Sequence, residues 1–100
     1  MNEREKQIIK QAIGILKDCL NPSRIILFGS RAKGNTNEYA DFDFGVDCLR
    51  PGISLQREIN EAIEKISGLY KVDVVYIPSV DKEFKNIIIK TGKVVYERGD

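Results

Sequence analysis

The chain contains no histidine among its 100 residues. This absence excludes the Ser-His-Asp and Cys-His pairs of many nucleophilic enzymes, and it removes the usual zinc ligands. Any metal chemistry must therefore use oxygen ligands, which favour magnesium or manganese. Two cysteines, Cys19 and Cys48, are far apart and form no Cys-x-x-Cys pair, so we expect free thiols rather than a disulfide. We expect Cys19 to lie on the apolar side of a helix.

Long apolar runs and a strong net charge are also missing. No segment approaches the roughly 18 consecutive apolar residues of a membrane-spanning helix, and the N-terminal MNEREKQIIK is too charged for a signal peptide. Sixteen Lys and Arg against fifteen Asp and Glu leave a formal net charge of +1. Without a membrane helix or a signal peptide, we expect a cytoplasmic protein without a membrane partner. Because the charge is balanced, we do not expect nucleic acid as a direct partner.

The patterning of the chain predicts one α/β domain over residues 1–100. Helical periodicity predicts helices over residues 4–20 and 54–67, and a third of about eleven residues that Ser79 would cap. Short β-rich runs predict strands over residues 24–28, 41–46, 71–77 and 94–96. The order helix-strand-strand-helix-strand-helix-strand, without linker or repeat, predicts an α/β (α+β) fold in which helices pack on a small mixed β-sheet.

Gly29 and Ser30 directly follow the apolar run RIILF. Glycine lets the backbone approach a phosphate closely, and the following N–H groups and the Ser30 hydroxyl can donate to phosphate oxygens. Arg31 and Lys33 carry the right charge to contact the same phosphates. Gly-Ser is also a common turn dipeptide, and Lys33 fits a solvated loop equally well.

Asp41 and Asp43 flank Phe42, so on a strand their carboxylates project from one face while Phe42 enters the core. Two like charges so close repel each other, and a divalent cation completed by nucleotide phosphates would relieve that repulsion. A solvated acidic face is the alternative. Asp47 is left outside this site because Gly45 interrupts the strand pattern.

Asp73 lies within the apolar run KVDVVYI. Burying an unpaired carboxylate is costly, so an aspartate between valines is unusual. If this strand lies beside residues 41–46, Asp73 can face the same way as Asp41 and Asp43. The alternative is an outward residue on an alternating strand.

Together these residues form the pattern G-S-x10-D-x-D followed by a carboxylate on a later strand. At this point the chain resembles the DNA polymerase β-like nucleotidyltransferases, and most closely their minimal nucleotidyltransferase branch. The resemblance runs from Arg24 to about Glu97 and is carried by FGSRAKG (28–34), ADFDFGV (40–46), KVDVVYI (71–77) and IIIKTGKVVYE (87–97). The family often has serine before the first aspartate, where this chain has Ala40.

The resemblance implies a nucleotidyltransferase fold and the transfer of AMP, or another NMP, from a nucleoside triphosphate to a hydroxyl. By analogy with the family, Gly29, Ser30 and Arg31 would bind the triphosphate. Asp41, Asp43 and Asp73 would be the catalytic residues and would hold two Mg²⁺ ions, with Mn²⁺ as an alternative. Asp73 would serve the acceptor side and help to deprotonate the attacking hydroxyl.

The resemblance also implies a partner. Minimal nucleotidyltransferases commonly pair with a small helical HEPN-type toxin and neutralise it by transferring AMP to a tyrosine. Larger family members add an acceptor-binding domain that these 100 residues lack. We therefore expect the acceptor site to be completed either by another subunit, in a homo- or hetero-oligomer, or by the acceptor itself. Two alternatives remain: a non-catalytic module that caps a partner protein, and nucleotidyl transfer to a small molecule.

Overall fold

A computed structural model describes residues 2–29 and 41–99 of the chain. Its helices and strands follow the predicted order, with one additional 3-10 turn at Ile77–Ser79. The elements, in chain order, are α1 (Glu3–Leu20), β1 (Arg24–Phe28), β2 (Phe42–Val46), α2 (Ile53–Ser67), β3 (Val72–Tyr76), α3 (Lys82–Thr91) and β4 (Lys93–Glu97). In the described ranges, no helix is long and apolar enough to cross a membrane.

The four strands form one sheet in the order β3-β2-β1-β4. β1 is antiparallel to both β2 and β4, whereas β2 and β3 are parallel. The parallel pair is joined through α2, because parallel neighbours need a crossover that returns the chain to the same end of the sheet. The predicted small mixed sheet is confirmed.

One face of the sheet is covered by α1 and α2. Ile25 and Leu27 of β1 project to this face, as do alternate residues of β2, and they pack against the apolar stripes of the two helices. In α1 the fully buried apolar positions are Ile8, Ala12 and Leu16, one helical turn apart. Our expectation for Cys19 is wrong, because the stripe continues through the partly buried Leu20 and leaves Cys19 exposed.

The other face of the sheet is covered in part by α3. Ile26 and Phe28, which alternate with the residues above, form a second core with Ile77 and Ile88. A Cβ atom at Gly45 would lie 3.2 Å from side-chain carbons of both Ile77 and Ile88. The missing side chain therefore lets α3 approach the centre of this face closely.

The start of α3 differs from the prediction. Ser79 belongs to the 3-10 turn, whose Ile77 carbonyl accepts a hydrogen bond from the Val80 N–H. The cap is Asp81, whose side chain accepts from the Phe84 N–H at 2.8 Å. Both residue types are good N-caps, so the choice depends on the preceding turn, which contains Pro78 and includes Ser79.

Candidate active site

The predicted carboxylates lie where β1 ends and β2 and β3 begin. Phe28, the last residue of β1, pairs with Asp43 of β2, and Asp43 pairs with Asp73 of β3. Residues paired in a ladder project from the same face of a sheet. Phe42 and Phe44, on either side of Asp43, are buried against α1 and α2. The carboxylates of Asp43 and Asp73 therefore project from the α3 face, as expected from the sequence if these two strands were neighbours.

Gly29 closes this site on the β1 side. Its φ angle is +76°, in the left-handed region that favours glycine. A Cβ atom at this position would lie 2.5 Å from the Oδ2 atom of Asp43, so any side chain here would force that carboxylate to move. The Asp43 carboxylate thus lies directly against the Gly29 backbone, at the turn that the sequence assigns to phosphate binding.

The electrostatics of Asp43 are those of a crowded carboxylate. Its pKa is raised above the ordinary value of 3.8, first by burial and then by the negative charges of Asp73 and Asp41, while Lys71 opposes this shift. A divalent cation would offset all three unfavourable contributions. A nearby positive charge would therefore favour the ionised form of Asp43.

Asp73 lies at the more open side of the site, with its side chain 44% exposed. Lys71 Nζ lies 3.8 Å from the Asp73 Oδ2 atom. Sequence analysis missed Lys71, although its spacing of two residues from Asp73 places both on one face of an extended segment. The lysine partly balances the acidic charge without burying either side chain.

The donor set suits a hard cation, because all three predicted ligands are carboxylates. In residues 2–29 and 41–99, however, no three or more His, Cys, Asp or Glu side chains are grouped so that they could hold one metal ion. Asp43 is the carboxylate whose charge interacts with both of the others. Phosphate oxygens of a bound nucleotide would supply the remaining ligands of an ion held by one or two carboxylates, as is usual for Mg²⁺.

The remaining residues discussed in the sequence analysis are not part of the site as described. Ser30, Arg31, Lys33 and Ala40 lie outside the described residues. Asp47 lies outside the site, since its Oδ2 accepts from the Arg24 Nε at 3.1 Å and its backbone bonds to residues 23 and 24. Asp47 thus holds the beginning of β1 to the end of β2, away from the carboxylates of the candidate site.

Comparison with known proteins identifies the family of the chain. The model of the family described as "Polymerase beta, Nucleotidyltransferase" matches residues 10–100. The chain therefore belongs to the polymerase β nucleotidyltransferase family and is a nucleotidyltransferase.

Two curated relatives are similar over most of the chain. A candidate protein adenylyltransferase of Methanocaldococcus jannaschii, MJ1379, is 37% identical over 82 residues, which are 79% of this chain and 81% of the relative. The protein adenylyltransferase MntA of Aphanizomenon flos-aquae is 32% identical over 83 residues, which are 73% of this chain and 55% of the relative. The chain thus spans about half the length of the second relative.

Solved structures share the fold. One chain of a toxin–antitoxin crystal structure with AMP-PNP superposes with a TM-score of 0.76 at 21% identity, covering 89% of this chain and 73% of that one. A second is from a tri-AMPylated Shewanella oneidensis HEPN toxin in complex with MNT antitoxin, with a TM-score of 0.66 at 22% identity and coverage of 95% and 71%. At these identities the likeness establishes the fold.

Proposed function

We propose that this nucleotidyltransferase transfers AMP from ATP to a hydroxyl of a partner protein, and that the partner is a HEPN-type toxin which the transfer neutralises. Two relatives that are at least 32% identical carry the name protein adenylyltransferase. Chains of the same fold occur in a toxin–antitoxin structure with AMP-PNP and in a complex with an AMPylated HEPN toxin. The acceptor group that we propose is a tyrosine hydroxyl.

The observation that carries the proposal is the position of Asp43. Its carboxylate lies against the Gly29 backbone, pairs in register with Asp73 and interacts with Asp41. A purely structural aspartate would gain from a nearby cation or hydrogen-bond donors, whereas within residues 2–29 and 41–99 the charges of Asp73 and Asp41 oppose the ionised form of Asp43 and only that of Lys71 favours it. Such an arrangement is typical of a cation and phosphate site.

Asp41, Asp43 and Asp73 would hold the divalent ions, and Gly29, Ser30 and Arg31 would bind the triphosphate. When bound, Mg²⁺ or Mn²⁺ supplies positive charge that stabilises the entering and leaving oxygens of an in-line displacement. The chemistry of the donor set fits this role. Asp43, which lies against Gly29, would bind mainly the nucleotide side together with Asp41.

In the reaction, the acceptor oxygen forms a bond to the α-phosphorus of ATP. The bond between that phosphorus and the oxygen bridging to the β-phosphorus breaks, and pyrophosphate leaves with that oxygen. The hydroxyl proton passes to Asp73, whose partly exposed side chain is open to an incoming acceptor. The products are an AMP ester of the acceptor and pyrophosphate, so atoms and charge balance.

The test is direct labelling. HEPN-type proteins encoded in the same genome are purified one by one and incubated with the chain, Mg²⁺ and ATP labelled in the α-phosphate. We expect one of them to take up label, and mass spectrometry to place AMP on a tyrosine. If ATP binds but none is labelled, protein adenylylation is wrong; if label appears on another residue type, the acceptor assignment is wrong.

A further inference from the structure

β3 is an edge strand whose outer side is unpaired in the part of the chain that the structure describes. The Phe42 N–H donates to the Lys71 carbonyl at 2.9 Å, and Phe42 pairs with Val72. In a parallel ladder this pattern directs the backbone groups of Asp73 and Val75 toward β2. The N–H and C=O groups of the alternate residues therefore point away from the sheet, and these residues are Val72, Val74 and Tyr76.

The opposite edge strand, β4, is built differently. Its pairing with β1 shifts register between Ile25 and Ile26, and it begins and ends with the exposed residues Lys93 and Glu97. Bulges and charged residues are the usual means by which proteins protect an edge from further pairing. β3 lacks both kinds of protection. Its register with β2 has no shift, and its three outward-facing residues, Val72, Val74 and Tyr76, are uncharged.

β3 is also the strand that carries Asp73. Any segment that pairs with its outer side must run alongside this carboxylate, with residues within one strand spacing of it, about 4.8 Å. In the described part of the chain the other sheet edge is β4, which lies beyond β1 at the far side of the sheet and does not border Asp73. The edge is therefore continuous with the acceptor side of the candidate active site.

A cavity of about 360 Å³ opens at the beginning of the same strand. Leu69, Tyr70, Lys71 and Val72 line it together with the last turns of α2. Leu69 is 86% exposed at this place. A cavity of this size can hold one large side chain of an extended segment whose backbone follows β3, as in other cases of strand addition.

We propose that the segment of the partner protein carrying the acceptor hydroxyl binds in extended form along the outer edge of β3, as a fifth strand. This inference rests on the proposed function, since it names how the acceptor reaches Asp73. The outward N–H and C=O groups of Val72 and Val74 bind the segment's backbone. Its acceptor residue lies beside Asp73, and a neighbouring side chain enters the cavity at Leu69.

The test compares two substitutions at one position. Val74→Pro removes one outward N–H without taking a hydrogen bond from the β2 ladder, and proline is tolerated on edge strands in this orientation. Val74→Ala keeps that N–H and removes most of the side chain. The acceptor used is the HEPN-type protein that wild type labels. At low acceptor concentration we expect Val74→Pro to label it at least 10-fold more slowly and Val74→Ala within about 3-fold of wild type, with ATP affinity unchanged in both.

Equal labelling by Val74→Pro and wild type would overturn strand addition while leaving the transfer activity intact. Equal losses in both variants would assign the effect to the side chain and also overturn it. Absence of any labelling by wild type would overturn the proposed function itself. The three results are therefore distinguishable.

Hydrogen exchange on the wild-type chain gives a second test that does not require Val74→Pro to fold. Without ATP, adding the same acceptor protein should slow exchange at the Val72 and Val74 N–H groups by at least 10-fold. The Asp73 and Val75 N–H groups, which face β2, serve as the internal reference. Binding without added protection at Val72 and Val74 would contradict the proposal.

Discussion

Asp43 of β2 and Asp73 of β3 are paired residues on neighbouring parallel strands. Their carboxylates consequently share one face of the sheet, and the charge of Asp73 helps to raise the pKa of Asp43. Without a bound cation, this repulsion between the two carboxylates does not stabilise the fold. The predictions below separate what these carboxylates do to stability from what they do to nucleotide transfer.

Asp43→Asn should stabilise the metal-free chain at pH 7. An aspartate whose pKa is raised by folding contributes favourably below its ordinary pKa of 3.8, and this contribution is lost as pH rises through the higher folded value. Removing the charge should therefore raise the thermal midpoint at pH 7 relative to wild type. Thermal scans in EDTA from pH 3 to pH 8 test this, and the advantage should vanish at the acidic end. A lower midpoint at pH 7 would contradict it.

Gly29→Ala should damage the site more than the fold. The positive φ costs an L-residue about 1–2 kcal/mol, and the new methyl group must displace the Asp43 carboxylate. We expect a loss of stability of that size together with at least a 10-fold loss of Mg²⁺–ATP affinity. The control is Gly14→Ala in α1. Outside its own helix backbone and chain neighbours, an added Cβ atom meets no atom within 4 Å there, and helix propensity predicts a gain in stability of about 0.5–1 kcal/mol. Calorimetry measures the Mg²⁺–ATP affinity of both variants. An unchanged affinity of Gly29→Ala would contradict the assignment of nucleotide binding to this site.

Asp73→Ala should separate binding from transfer. Asp43 lies against the Gly29 turn, whereas Asp73 is on the next strand, so Mg²⁺–ATP affinity should stay within about one order of magnitude, or roughly 1.4 kcal/mol. Transfer should fall by about 10² or more, as expected when a positioned base is lost. Asp18→Ala, on an exposed position of α1, is the control and should behave as wild type. Equal labelling by Asp73→Ala and wild type would leave Asp73 as a surface residue.

Asp47→Asn should affect stability alone. The Arg24–Asp47 ion pair is about one third exposed on both sides, and such pairs contribute no more than about 1 kcal/mol. We expect a slightly lower thermal midpoint, a smaller difference from wild type at high salt, and transfer within about 2-fold of wild type. A large loss of transfer at an unchanged midpoint would place Asp47 in the active site.

Local features of the fold were predictable because they depend on nearby residues. The apolar run RIILF gave β1 with its observed bounds, and Gly68 and Gly92 lie directly after α2 and α3. The start of α3 was predicted wrongly because Ser79 and Asp81 are both good caps. Only the preceding turn, in which the Val80 N–H bonds to the Ile77 carbonyl, selects Asp81.

The register between strands could not be predicted in the same way. That Asp73 faces the same way as Asp43 follows from the parallel pairing of β2 with β3, which the sequence analysis could state only as a condition. Pairing depends on the whole sheet, and a shift of one residue would turn Asp73 to the other face. The contact of Gly29 with Asp43 likewise joins two separate strands, so no short motif contains it.

The central claim is that Asp43 serves a metal-dependent nucleotide transfer, and one labelling experiment tests it most directly. Wild type and Asp43→Asn are incubated with α-labelled ATP and the HEPN-type acceptor protein, each with Mg²⁺ and with excess EDTA. The account predicts label only with wild type and Mg²⁺, and a loss of at least about 10² in Asp43→Asn. Near-normal labelling by folded Asp43→Asn, or undiminished labelling in EDTA, would contradict it.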